Sequence, residues 1–252
     1  MAHQIDYKLV GDDMQAVVIT LDPGEIVQAE AGSMMFMESG IEMNTEMQGG
    51  LLGGIKRKLG GESLFITTYK NTGTGKKHVS FAAPYPGKIV SFNLAETGTM
   101  LCQRDAYLCS AFGIDISVAF TRRLGAGFFG GEGFILQKLS GDGYTFIHAG
   151  GTVLKHELGA GESLKVDTGC LVAFEESVSY DIEMAKGIKT ALFGGEGLFL
   201  AKLTGPGKIY LQTLPFARMA NRVISAAGYG GPKGEVRRGG MGGILGDIIS
   251  GD

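Results

Sequence analysis

One short phrase occurs three times in this chain, and it limits the fold more than any other feature. Gly60-Gly61-Glu62 leads into an apolar run, then Lys70, then Thr72-Gly73-Thr74-Gly75. Gly130-Gly131-Glu132 leads in the same way to Lys138 and Ser140-Gly141-Asp142-Gly143, and Gly194-Gly195-Glu196 to Lys202 and Thr204-Gly205-Pro206-Gly207. The glutamates are 70 residues apart (62 to 132) and then 64 apart (132 to 196), which is domain-scale punctuation and not low complexity. Each phrase predicts a β-hairpin. Paired glycines release the chain into a strand, and Ser/Thr-Gly-x-Gly turns it back, because tight turns need the positive φ that glycine adopts at little cost.

The repetition extends upstream. Val17–Leu21 runs into Asp22-Pro23-Gly24-Glu25, Ile89–Leu94 into Glu96-Thr97-Gly98-Thr99, and Val153–Leu158 into Gly159-Ala160-Gly161-Glu162. Gly24, Gly98 and Gly161 precede the Gly-Gly pairs by 36, 32 and 33 residues. Ile41-Glu42-Met43, Ile114-Asp115-Ile116 and Ile182-Glu183-Met184 then share an apolar-acidic-apolar alternation, the signature of a strand with one wet face. The expected fold is all-β, with three antiparallel modules at about 14–82, 88–148 and 151–213 inside a domain spanning 1–213. A pseudo-threefold arrangement suits such a chain, since three copies of one self-complementary edge remove exposed strand edges.

Beyond 213 the pattern changes. Leu214 to Ala227 sets Phe216, Met219, Val223 and Ile224 on one helical face and Arg218 and Arg222 on the other, and Gly228 ends the run. The segment 214–252 is therefore read as a short helix, a Gly-rich linker and an apolar tail. Ile244, Leu245, Ile248 and Ile249 in that tail suit docking on the core or on a neighbouring subunit.

Composition narrows the function classes. The 43 glycines among 252 residues follow no Gly-x-y period, which excludes collagen. A net charge of −3 argues against a dedicated nucleic-acid binder. No apolar run reaches the roughly 18–20 residues of a membrane span. Met1 to Asp13 carries no basic stretch followed by an apolar one, so a cytoplasmic location is expected. Cys102, Cys109 and Cys170 form no Cys-x-x-Cys pair and read as reduced, buried hydrophobes.

The run Gly49-Gly50-Leu51-Leu52-Gly53-Gly54-Ile55-Lys56-Arg57 leading to Gly60-Gly61-Glu62-Ser63-Leu64-Phe65, with Phe-Gly-Gly-Glu-Gly at 129–133 and 193–197, resembles the altered-inheritance-of-mitochondria family in its bacterial branch. The resemblance runs to about residue 225. It implies a TRAP-like β fold of the double-stranded β-helix type, duplicated within the chain, and a tendency to form homo-oligomers. The family supplies no established catalytic residues, and its mitochondrial members are associated with organisation of the inner membrane.

No metal or cofactor site is expected. His3, His78, His148 and His156 show neither His-x-His nor His-Glu-x-x-His, which also counts against a cupin-type enzyme; His148 and His156 are the one conceivable pair, across a turn. Gly73-Thr74-Gly75-Lys76 lacks the upstream glycine and the following Ser/Thr of a phosphate-binding loop. One constellation does recur: Lys56, Arg57 and Lys58, then Arg122 and Arg123, then Lys186 and Lys189, each set just before a Gly-Gly-Glu string. Three equivalent basic spots beside glycine-rich backbone suit an anionic surface, and Leu51, Leu52 and Ile55 beside the first suit a membrane or a partner helix. Glu62, Glu132 and Glu196 fall one per module and read as partners of turn amides or nearby bases, not as catalytic acids.

Three readings follow. The first is a non-enzymatic, oligomeric β scaffold that binds a partner protein or an acidic membrane surface. The second, an RNA-binding ring, rests on fold analogy and is opposed by the charge and by the absence of Trp. The third is a small-molecule enzyme with a pocket between modules.

Overall fold

The computed structural model describes residues 1–46, 66–122, 134–184 and 199–227. The regular elements of the described chain are nineteen strands, all joined antiparallel within their sheets, two short helices and two single 3-10 turns. The strands are β1 (Asp6–Val10), β2 (Ala16–Leu21), β3 (Ile26–Glu30), β4 (Met34–Met37), β5 (Ile41–Glu46), β6 (Ile66–Asn71) and β7 (Lys77–Ala82). Then follow β8 (Gly87–Asn93), β9 (Met100–Gln103), β10 (Tyr107–Ala111), β11 (Asp115–Arg122), β12 (Phe134–Ser140) and β13 (Tyr144–Gly150). The last are β14 (Val153–Leu158), β15 (Ser163–Asp167), β16 (Leu171–Glu175), β17 (Ser179–Met184), β18 (Phe199–Thr204) and β19 (Gly207–Gln212).

Four sheets result. Their strand orders are β1-β2-β7-β4, β5-β6-β3-β10-β13-β8, β11-β12-β9-β16-β19-β14, and β15-β18-β17. Three apolar clusters lie between them. The first joins Val17, Ile19, Val79 and Phe81 of the first sheet to Val27, Tyr69, Cys109 and Phe146 of the second. The second joins Phe92, Tyr107 and Ile147 of the second sheet to Cys102, Leu139 and Ala173 of the third. The third joins Leu136, Phe174 and Ile209 to Val166, Ile182, Ala201 and Leu203 of the fourth. Phe146 belongs to the first cluster and its neighbour Ile147 to the second, so β13 is buried on both faces, as period-2 alternation requires. The outer strand β2 instead alternates half-buried and buried positions.

The Ser/Thr-Gly-x-Gly turns do not make the expected hairpins. β6 lies in the second sheet and β7 in the first; β12 and β13, and likewise β18 and β19, are also split between sheets. Each turn is an arch that carries the chain from one sheet to the next. In the first arch the buried Asn71 holds the geometry. Its Nδ2 donates to the carbonyls of Leu21 and Gly75, both at 2.8 Å, and its Oδ1 accepts from Gly73 N–H at 2.9 Å. The strands that do pair as neighbours in sequence are β1–β2, β5–β6, β11–β12 and β17–β18, and the Gly-Gly-Glu strings belong to the connections within the last three pairs, outside the described residues.

The upstream turns fit the glycine argument, with φ of 87° at Gly24, 72° at Gly98 and 77° at Gly161. Gly98 ends a four-residue helix, Leu94–Thr97, capped by the Asn93 side chain, where the sequence suggested a bare turn. Acidic alternation holds at Ile114-Asp115-Ile116, where both isoleucines are buried and Asp115 is exposed, but Met43 is exposed. Cys102 and Cys109 are unpaired and fully buried on different strands, and burial pushes both thiols well above their usual range. The chain divides into compact units at 1–216 and 217–252. The C-terminal helix is Phe216–Ala226, close to the expected span, and none of its side chains is buried. Among the described residues no helix is long and apolar enough to cross a membrane.

Candidate assembly surface

The first sheet ends, among the described residues, at β4, whose sequence is Met34-Met35-Phe36-Met37. The strand pairs with β7 through Met34↔Phe81, Phe36↔Ser80 and Met37↔Val79, and its register shifts between Met34 and Phe36. That bulge turns Met35 and Phe36 outward, with the Met35 sulfur 3.9 Å from the Ser80 hydroxyl. Met34 packs on the first cluster, whereas Met35, Phe36 and Met37 are 59%, 46% and 38% exposed. Three large apolar side chains on one open strand are costly to leave in water, at roughly 1.5–3 kcal/mol each on full burial. Glu38 follows directly. His78 holds it through the ring Nδ1 at 3.0 Å and the backbone N–H at 3.1 Å, and these bonds keep the carboxyl below its ordinary range.

A second concentration of polar groups lies at the β3–β10 junction. Gln28 Nε2 donates to Ser110 Oγ at 3.0 Å and to the Ile114 carbonyl at 2.7 Å, and Tyr107 Oη sits 3.0 Å from the same Ser110 hydroxyl. Glu30 ends β3 nearby. Burial, with the charge of Asp105 adding and that of Arg104 opposing, pushes its carboxyl up to about 7. Burial, Asp105 and Glu30 push the Tyr85 phenol up to about 12. The Tyr85 ring meets His148 edge-on at 4.5 Å and Phe216 at 5.2 Å. Burial drives His148 down to about 4, against a hydrogen bond from its ring to the Tyr85 backbone, and its Nδ1 has no hydrogen-bond partner among the described residues. His148 is thus a neutral core side chain on β13, while His156 is exposed on β14 of another sheet, so the two are not a ligand pair. No group of three or more His, Cys, Asp or Glu among the described residues is placed to hold a metal ion.

Lys56, Arg57, Lys58, Arg123, Lys186 and Lys189, with all the Gly-Gly-Glu residues, lie outside the described residues, as does the tail from Ile244 to Ile249. Arg122 closes β11, and its side chain is likewise outside the description. The sequence reading missed β4. The signal was there in four consecutive apolar residues without alternation, too short for a helix and wrong for a strand with one wet face.

The stacked antiparallel sheets define an all-β protein whose open apolar strand is the candidate site. The chain belongs to the AIM24 family, described as mitochondrial biogenesis AIM24, whose pattern matches residues 7–214. An uncharacterised protein of Streptococcus pyogenes serotype M6 is 30% identical over 215 residues, covering 81% of this chain and 83% of that one. The crystal structure of a Streptococcus pyogenes protein superposes with a TM-score of 0.74 at 25% identity, covering 88% of this chain and all of the other.

Proposed function

We propose that this chain is a non-enzymatic β scaffold, built from one module used three times, that assembles into homo-oligomers and docks on a partner protein or an acidic membrane surface. The observation that carries the reading is the exposed apolar strand β4 at an open sheet edge, a feature of surfaces that bind. The pairing order supports the modular part. Taking β2–β7, β8–β13 and β14–β19 as blocks, the first strand of each pairs with the sixth and the sixth with the third, while the fourth pairs with the fifth and the fifth with the second. A TRAP-like, pseudo-threefold relation then describes how the blocks follow one another, with one junction open between β15 and β4. The family description names mitochondrial biogenesis, and the basic runs beside Gly-Gly-Glu supply charge suited to an acidic surface.

Liposome co-sedimentation tests the docking. Three charges near an anionic leaflet contribute about 3 kcal/mol, multiplied by avidity in an oligomer. The full chain is expected to sediment with acidic but not neutral vesicles, and less so at high salt. The Lys56→Glu/Arg57→Glu/Lys58→Glu variant is expected to stay in solution. Equal sedimentation of the two proteins, or indifference to lipid charge, counts against membrane docking.

A further inference from the structure

The two junctions inside the chain say what belongs on β4. β3 of the first block pairs with β10 of the second through Cys109↔Ala29, Ser110↔Gln28 and Ala111↔Val27. β9 of the second pairs with β16 of the third through Ala173↔Cys102, Phe174↔Leu101 and Glu175↔Met100. In both, the second strand of one block adds antiparallel to the third strand of the next. The unmatched halves of this series are β4, the third strand of the first block, and β15, the second strand of the last.

Burial follows the same logic. Cys109 lies opposite Phe146, Ala173 opposite Tyr210, and Phe36 opposite Ser80, each one step along from a register shift. Phe36 therefore occupies the place of Cys109 and Ala173, and Met35 that of Leu108 and Val172. Leu108 and Cys109 are 2% and 0% exposed inside the cluster of the block before them, as are Val172 and Ala173 at 1% and 0%. Met35 and Phe36, at 59% and 46%, have no preceding block. The opposite side is also unfinished: Leu164, Tyr180 and Phe199 are only partly buried around the third cluster.

Resting on the modular reading, we infer that the last block of a second copy covers β4, its β15 pairing antiparallel with β4 and its third cluster closing over Met35 and Phe36. The register follows from the internal junctions. Val166 pairs with Ala201, six residues before Gly207, as Cys102 pairs with Gln137, six residues before Gly143. Val166 thus falls opposite Phe36, Lys165 opposite Met37 and Leu164 opposite Glu38. The contact is head-to-tail, so every copy offers one donor and one acceptor edge.

Two variants with one added cysteine each test it in the full chain, Phe36→Cys and Val166→Cys, both carrying Cys170→Ser because Cys170 is the partly exposed native thiol, mixed and oxidised. Opposed residues on antiparallel strands have Cα atoms about 4.5–5.5 Å apart, within disulfide reach. The expected product is a cross-linked pair from the mixture and none from either variant alone. Phe36→Asp is expected to weaken self-association, read by light scattering, about 30-fold or more, as loss of a buried aromatic anchor does, with the β circular dichroism unchanged. A double Phe36→Cys/Val166→Cys chain that bonds within itself at one-chain mass overturns the second copy and leaves the modules standing. Assembly that neither cross-links nor responds to Phe36→Asp overturns the seam alone. A wild type of one-chain mass, together with no cross-link in the mixture of variants, overturns both the seam and the oligomeric scaffold.

Discussion

Glu30 and His148 illustrate how single residues carry information that only their surroundings create. Glu30 is an acid raised from 4.5 to about 7, so between those values the folded protein keeps a proton that the unfolded chain releases. Its contribution to stability is full below about 4.5 and is lost as pH rises toward 7. His148 is a base lowered from 6.5 to about 4, so between those values the unfolded chain binds a proton that the folded one refuses. Its cost to stability appears as pH falls below 6.5. The two slopes oppose each other between about pH 4.5 and 6.5, each at no more than about 1.4 kcal/mol per pH unit. Relative to wild type, Glu30→Gln is expected to give a melting temperature that climbs more steeply with pH in that window. His148→Gln is expected to give one that falls. Thermal unfolding from pH 4 to 7.5 measures both, and parallel curves for all three proteins would remove Glu30, with its neighbours Asp105 and Arg104, from the account. Neither shift was legible in sequence, because desolvation depends on what the fold stacks over a side chain.

At the scale of elements, strand existence was readable and strand pairing was not. The turn glycines and apolar runs located most strands, since period and φ are local properties. Whether Thr72-Gly73-Thr74-Gly75 reverses the chain within a sheet or arches it into another depends on which strands arrive to pair with β6 and β7. Those strands, β3 and β2, pair with residues 36 or more positions further along the chain. Asn71 is the residue through which the arch is enforced. Asn71→Ala leaves the Leu21 and Gly75 carbonyls without their donor inside a buried arch, at a cost of roughly 2 kcal/mol. The expected drop in melting temperature is about 4–8 °C. An unchanged melting curve would mean that the arch holds without its side-chain bonds.

For the whole molecule, all three apolar clusters are drawn from residues between Ala2 and Leu211. A chain ending at Phe216 is therefore expected to keep its β circular dichroism and to melt within about 4 °C of the full chain, the shift that roughly 1 kcal/mol produces at this size. Loss of cooperative unfolding on that truncation would assign the C-terminal segment a structural role in the core.

The amino-acid sequence by itself determined the all-β class, the three-part punctuation, the turn glycines and the C-terminal helix, because each of these is written in local spacing and backbone preference. Tertiary structure alone decided that the Ser/Thr-Gly-x-Gly turns are arches, that β13 is buried on both faces while β2 is not, and that β4 ends its sheet among the described residues. Burial is a relation between distant strands. Met35 and Leu108 look alike as apolar residues in a row, and only what packs against each strand makes one exposed and the other part of the core.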